Sequence, residues 1–312
     1  MTTDTQFHIP WDKAVKPAVV VSILLTLLTI YTLVVNRLHL GLDFTGGTLI
    51  EVTYVQEADV NDVRQRVEQA GFQGAVVQLF GTAMDVAIRV PLQEGVKTEE
   101  IADRVMAKLT EGGTEVTLKR REFVSPSVGA DLIEGGFMAM AIAFVGILLY
   151  ISVRYEWKFA LGAIIALIHD VMITLGIFSF FRIEFDLTVL AALLTVVGYS
   201  LNDTVVVFDR MKENFVELRN ATPWEAATNA INSMLVRTLV MSLTTIFVLL
   251  ALFYLGGAMI HSFAIAMLCG VIFGTYSSVY VATAAAIALG VTREDLLPTV
   301  VDKEGADLPE MP

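Results

Sequence analysis

The chain has 312 residues, 55 % of them apolar and only 17 % charged, which excludes a water-soluble globular domain of that length, where about a quarter of residues carry charge. A formal net charge of -12 with no basic cluster excludes a phosphate-binding nucleic-acid surface. The single cysteine, Cys269, lies in an apolar run and reads as a packing residue, so neither an intrachain disulfide framework nor a thiolate metal cluster is expected.

Crossing a hydrocarbon layer of about 30 Å takes roughly 20 mostly apolar residues. The first such run, Pro17 to Val35, follows Lys13 and Lys16 and leads into Asn36-Arg37-Leu38-His39 without a small-x-small cleavage site, so it is predicted to be an uncleaved anchor. Residues 1–36 then form the N-terminus and first span. From about Arg37 to Asp131 the periodicity changes. Thr48–Val55 alternates like a half-buried strand, and Ala58–Gly71 has helical spacing with Asp59 as N-cap and Gly71 as stop. Ala75–Phe80 and Met84–Val90 flank Gly81-Thr82 as a hairpin. Thr98–Leu109 is a second helix, capped by Thr98 and ended by Gly112-Gly113, and Thr114–Val124 returns as a strand. The order βαββαβ is the split, ferredoxin-like arrangement of an α+β domain, predicted over 37–132 with its connectors. Those connectors, Leu40–Gly47 (LGLDFTGG) and Ser125–Gly136 (SPSVGADLIEGG), are rich in glycine and read as hinges, with Gly41, Asp43, Gly46, Gly47, Gly135 and Gly136 as the hinge residues.

Five further spans are predicted within 133–290: Ile133–Val153, Phe159–Phe181, Leu187–Phe208, Val236–Leu255 and Ile260–Leu289, the last long enough to tilt or break. Asp209–Ala230 reads as a charged amphipathic helix along the membrane surface, within a loop near 209–235. The acidic tail 291–312 reads as loose. Lys13, Lys16, Arg154, Lys158, Arg210, Lys212, Arg219, Arg293 and Lys303 all fall on one side of this layout. The opposite short loops hold only Arg182 and Gly256-Gly257. The positive-inside rule therefore predicts cytoplasmic termini and an extracytoplasmic α+β domain on a helical polytopic membrane protein of six spans.

Ionisable residues inside spans are functional candidates because an ionised group in hydrocarbon costs on the order of 3 kcal/mol or more. Asp203 lies in Ser200-Leu201-Asn202-Asp203-Thr204, with Val205–Phe208 still apolar beyond it, which argues for burial; the alternative is a helix-end charge in the interface. Ser200, Asp203, Val207 and Arg210 share a helical face, with Asn202 and Thr204 beside it. Arg237 is the natural partner of Asp203, since an arginine stays charged while an aspartate beside it can switch; the alternative is snorkelling to the headgroups. Asn229, Ser233, Arg237 and Thr244 or Thr245 form a polar stripe. Two readings of His169-Asp170 are open: a second proton relay, or a hydrogen-bonded pair that locks helices. Gly270 and Gly274 make a small-xxx-small packing face. No H-E-x-x-H, G-x-S-x-G or G-x-x-x-x-G-K-[ST] motif occurs, so no zinc-hydrolase, serine-hydrolase or nucleotide site is expected.

Gly41-Leu42-Asp43-Phe44-Thr45-Gly46-Gly47, the run Val197-Gly198-Tyr199-Ser200-Leu201-Asn202-Asp203-Thr204-Val205-Val206-Val207-Phe208-Asp209-Arg210, Leu252 to Gly257 (LFYLGG) and Gly274-Thr275-Tyr276-Ser277-Ser278 together resemble the SecF family of bacterial protein-export subunits over nearly the whole chain. The resemblance implies membership of the resistance-nodulation-division superfamily, pairing with SecD into a twelve-span unit, and a non-enzymatic role in export. It implies work with the SecYEG channel and the SecA motor on an unfolded preprotein outside the bacterial inner membrane, surrounded by lipid and without nucleic acid. It implies no cofactor and a proton, or alternatively sodium, as coupling ion, with the proton-pathway aspartate and arginine falling on Asp203 and Arg237. The family often carries a proline after Y-S-S, whereas this chain continues Val279-Tyr280-Val281-Ala282-Thr283-Ala284. Two other functions are weighed: half of a proton-driven small-molecule or lipid exporter, which needs a roomy apolar pocket in or beside the outer domain, and an intramembrane hydrolase built on His169 and Asp170, which lacks a nucleophile.

Overall fold

The computed structural model of the protein describes residues 10–80, 82–93, 96, 98–111, 113–218 and 221–292. Gly81, Gly112, Arg219, the Thr98 side chain and the acidic tail from residue 293 fall outside them.

Six helices among the described residues are long and apolar enough to cross a membrane. The first, α1 (Trp11–Val35), starts six residues before the apolar run at Pro17. Its entry is amphipathic: Trp11 is buried, and its indole N–H donates to Asn232 Oδ1 at 3.2 Å while the ring packs on Tyr280. A two-residue strand β1 (His39–Leu40) and a single-turn helix α2 (Leu42–Thr45) then lead into the α+β domain.

That domain runs β2 (Gly47–Tyr54), α3 (Val60–Gln69), β3 (Val76–Phe80), β4 (Thr82–Pro91), α4 (Thr98–Leu109) and β5 (Val116–Val124), with antiparallel sheet order β3-β4-β2-β5. This is the ferredoxin-like order that the alternation predicts. Period-2 patterning puts Ile50, Val52, Val86 and Ile88 on one face, where they are fully buried against Val63 and Val67 of α3 and Val105 and Leu109 of α4. Asp59 caps α3, its carboxylate accepting from the Asn61 N–H at 2.8 Å. Strand β4 is longer than its alternating core, because it pairs with β2 from Gly47↔Pro91 to Thr53↔Asp85.

On the other face of the sheet, Asp85 accepts from Lys119 Nζ (2.7 Å), Thr53 Oγ1 (2.6 Å) and Thr82 Oγ1 (2.8 Å). Lys119 first, then the two hydroxyls, hold its carboxyl down at about 2. A carboxyl whose pKa is lower folded than unfolded stabilises the fold above its unfolded value, near 3.9, and the contribution disappears as pH falls toward 2. Thermal unfolding of the detergent-solubilised chain should therefore show the domain weakening between pH 4 and pH 2. Asp85→Asn should lower the midpoint at pH 5 and flatten that dependence; an unchanged pH profile in the variant would show that the three donors contribute nothing.

The second span, α5 (Pro126–Arg154), corrects the hinge expected over Ser125–Gly136. Ser125 is its N-cap and Pro126 its first residue, a helix-start pair, so Gly135 and Gly136 lie inside a helix rather than in a flexible joint. The glycines of this stretch serve close approach. A Cβ on Gly129 would stand 2.4 Å from the Phe44 carbonyl, and one on Gly136 2.6 Å from Leu190 Cδ2, while Gly135 faces open space.

Helix α6 (Trp157–Phe181) is followed by the short strand β6 (Glu184–Phe185), which pairs in parallel with β1, and then by α7 (Leu187–Glu217) and α8 (Pro223–Leu255). The surface helix expected near 209–235 does not form as a separate element. Instead α7 continues past the apolar run to Glu217, and α8 begins at Pro223 with a Thr222–Glu225 capping box. Phe208, Met211 and Phe215 are buried against Ala226, Ala227 and Ala230, so packing between the two helices extends the spans into polar sequence. The last span is α9 (Ala258–Ser277), a π-helical turn Ser278–Ala282, and α10 (Thr283–Ala288).

Candidate functional site

Polar groups inside a bundle of spans cost several kcal/mol each unless they find partners, so the buried ones mark where the bundle is specialised. Besides serines and threonines on α1 and α8, such groups concentrate on three helices: α6 supplies His169 and Asp170, α7 supplies Ser200, Asp203 and Thr204, and the end of α9 with the π turn supplies Ser277 and Ser278, with half-buried Thr275 beside them.

Asp170 is the hub. It is 1 % exposed; its Oδ2 accepts from Ser200 Oγ at 2.6 Å and from Ser277 Oγ at 2.8 Å, and its Oδ1 lies 3.2 Å from His169 Nδ1. Gly274 makes this possible. A Cβ there would stand 3.0 Å from Ser200 Cβ and 3.5 Å from Asp170 Oδ2, so glycine lets α9 approach α7 closely at this level. One turn along, the Thr204 and Ser278 hydroxyls share a hydrogen bond of 2.9 Å. At the π turn, Thr283 Oγ1 donates to the Ser278 carbonyl at 3.3 Å.

Asp203 points elsewhere. It is 4 % exposed, Thr275 is the hydroxyl its carboxylate meets, and its Oδ2 is buried without a hydrogen-bond partner among the described residues. Thr275 in turn shares a 2.7 Å hydrogen bond with Ser242 of α8. Asp203 thus faces the junction of α7, α8 and α9, while Asp170 faces that of α6, α7 and α9.

The structure does not bring Arg237 to Asp203. Arg237 is exposed on α8 and has no ion pair among the described residues. Ser233 accepts from Arg210 Nε at 3.2 Å. Asn202 is exposed, Thr244 donates only to carbonyls of its own helix, and Thr245 shares a 3.2 Å hydrogen bond with Tyr199. Ser200 and Thr204 join the Asp170 cluster rather than the surroundings of Asp203. His169 Nε2 is buried and has no hydrogen-bond partner among the described residues.

A second polar locus fixes the α+β domain to the bundle. Gly41 N–H donates to the Phe185 carbonyl at 2.8 Å, and Asp43 Oδ2 accepts from the Leu187 N–H at 3.0 Å, at the positive end of α7. Arg89 of β4 is ion-paired with Glu184 and lies in the field of Asp186, Asp43 and Glu51. Gly46 and Gly47 have φ of 73° and 143°, and a Cβ on Gly47 would stand 2.5 Å from the Val90 carbonyl, so the turn into β2 needs glycine. Sequence reasoning missed Arg89, Glu184 and Asp186; the signal was the acidic triplet Glu184-Phe185-Asp186 between two apolar runs. It also left Thr275, Ser277 and Ser278 unassigned, although a run of hydroxyl residues inside a span was visible. Among the described residues no three His, Cys, Asp or Glu side chains come together as metal ligands.

Comparisons with known proteins agree on one family. The family profile described as protein export membrane protein SecD/SecF, C-terminal, matches residues 104–292, and the SecD/SecF GG motif profile matches residues 31–58. The protein translocase subunit SecF of Vibrio alginolyticus is 49 % identical over 97 % of this chain and 95 % of its own length. The SecF of Escherichia coli O157:H7 is 45 % identical over 93 % of this chain and 91 % of its own. Among solved structures, SecDF of Thermus thermophilus, a translocon-associated membrane protein, superposes with a TM-score of 0.76 at 34 % identity, covering 88 % of this chain. A super-membrane-facing form of SecDF gives 0.67. The match spans 38 % of each of those longer chains.

Proposed function

The chain belongs to the SecF family of the SecD/SecF protein-export proteins, and from that premise we propose that it is a non-enzymatic translocation subunit that converts proton entry into movement of its α+β domain. The observation that carries this reading is Asp203, a carboxylate buried between spans with one oxygen left without a partner. Such a group is a place where a proton binds and where its departure leaves a charge in need of a cation. Arg237 lies on the neighbouring helix, and a relative shift of α7 and α8 would bring the two together; this state alternates with the separated one seen here.

SecD is the proposed partner, seated on the face of α8 that carries Arg237, where Val236 is 73 % and Phe247 69 % exposed. The wider assembly comprises the SecYEG channel, SecA and the unfolded preprotein. The concentration of lysine and arginine at one set of helix ends supports cytoplasmic termini in a bacterial inner membrane, with the α+β domain outside. The proton is the proposed coupling ion, and no cofactor is required. One charge crossing the membrane yields about 2.3 kcal/mol per 100 mV. That biases a two-state domain swing by tens of fold.

The joint between domain and bundle is where the swing has to break contacts: β1 against β6, Asp43 on α7, and Arg89 on Glu184. A disulfide between His39→Cys and Glu184→Cys, which are register partners, locks that joint in a Cys269→Ala background. Oxidised vesicles should lose gradient-driven export of a secreted precursor and regain it on reduction. Full export in the locked state would overturn the swing.

A further inference from the structure

Between α1 and α5, at the end of the bundle that carries the α+β domain, lies an apolar cavity of about 520 Å³. Both helices pack on α6 and hardly on each other, so a gap separates them. Leu33 and Met140 form the walls, Leu175 and Leu193 the floor, and the Phe44–Phe185 ring pair closes the end beneath the domain. Phe137, at the rim, is 75 % exposed.

Among the described residues, the charged one that lines it is Arg37, two residues beyond α1. Its backbone has a φ of 58°, a left-handed conformation unusual for a side-chain-bearing residue. It is pinned there by Ser179, whose hydroxyl lies 2.8 Å from the Thr32 carbonyl and 2.9 Å from the Arg37 carbonyl. The guanidinium is exposed and has no partner among the described residues. An arginine just past the end of a span sits at headgroup height, where its planar fork matches a phosphate.

We infer that this groove is a phospholipid site, with one acyl chain in the cavity and the lipid phosphate on Arg37. The charge complements an anionic headgroup, and the lining is otherwise apolar. A transmembrane helix of a partner is a poor occupant, because the α5 lining runs only from Ile133 to Met140, roughly 10 Å of helix, whereas a spanning helix needs a seat about 30 Å long. The acyl chain lies against Phe44 and Phe185, the residues that hold the connector to the β6 loop, so the lipid braces the joint between bundle and domain.

The test is native mass spectrometry of the assembled complex released from nanodiscs containing phosphatidylglycerol and phosphatidylethanolamine. The wild type should keep bound phospholipid. Arg37→Gln should lower retention of phosphatidylglycerol about tenfold, the loss of one charge-assisted contact, and Arg37→Lys should restore much of it. Leu175→Trp, which fills the floor, should lower retention of both lipids. Equal retention in wild type and Arg37→Gln would overturn the site. So would protection of Arg37 from arginine-specific labelling by inorganic phosphate as effectively as by lipid, or a photo-crosslinker at Phe137 that captures the partner subunit instead of lipid.

Discussion

Asp203→Asn is expected to abolish the gradient-dependent part of late-stage export while leaving chain abundance and SecD pairing at wild-type levels. Asparagine keeps the shape of the side chain and its contact with Thr275 but cannot gain or lose a proton. The bundle tolerates it, because a neutral amide in that position removes a charge whose burial costs on the order of 3 kcal/mol or more. The measurement is export of a secreted precursor in inverted vesicles, with and without a proton gradient. The expected ratio between the two conditions falls from many-fold in the wild type to about one in the variant. If the variant keeps its full gradient dependence, Asp203 is structural and coupling resides elsewhere, with His169 and its unpartnered Nε2 as the next candidate.

Asp170→Ala is expected to act in the opposite way, on stability first. It removes the acceptor of the Ser200 and Ser277 hydroxyls and the neighbour of His169; Ser277 keeps the Gly274 carbonyl at 3.1 Å, while the Ser200 hydroxyl and His169 Nδ1 lose the partner they have among the described residues. A buried polar group left without its hydrogen-bond partner costs about 1–3 kcal/mol, so a loss of about 3 kcal/mol in bundle stability follows. Thermal unfolding of the purified complex in detergent checks it, with Asp170→Asn as the conservative control that keeps an acceptor. A midpoint for Asp170→Ala within error of the wild type would show that the cluster does not hold the helices together. The pair of variants separates the two readings of His169-Asp170. A lock gives a stability loss that export follows, whereas a relay gives an export defect in a chain that unfolds normally.

The α+β domain was the most legible part of the chain. Its strands alternate with period 2, its first helix begins at an aspartate cap, and each element of the βαββαβ order forms where the alternation put it. The start of α5 is not legible from glycine content, because glycine serves close packing as readily as mobility. Gly129 and Gly136 instead permit contact with Phe44 and Leu190, and Ser125-Pro126 was a helix start in plain view. The extension of α7 to Glu217 is not legible from hydropathy, which ends where charge begins, whereas Met211 and Phe215 are buried by α8.

In the site, burial of Asp203 was legible from the apolar residues on both sides of it, since cost alone singles out such a carboxylate. Its separation from Arg237 was not, because facing depends on how far two helices are rotated about their axes. The same holds for Ser277, whose hydroxyl reaches a carboxylate 107 positions away in the chain.

The sequence by itself determined six membrane-length helices and the βαββαβ domain between the first two of them. Hydrophobic length and periodicity are local quantities, complete within each segment. Only the tertiary structure decided that Asp170 rather than Asp203 is the hydrogen-bonded hub, that β1 and β6 tie the domain to the bundle, and that Arg37 guards an apolar groove. Each of these rests on which faces of distant helices meet, and that is fixed by packing complementarity at positions such as Gly270, where a Cβ would stand 2.0 Å from Val196 Cγ2 of α7.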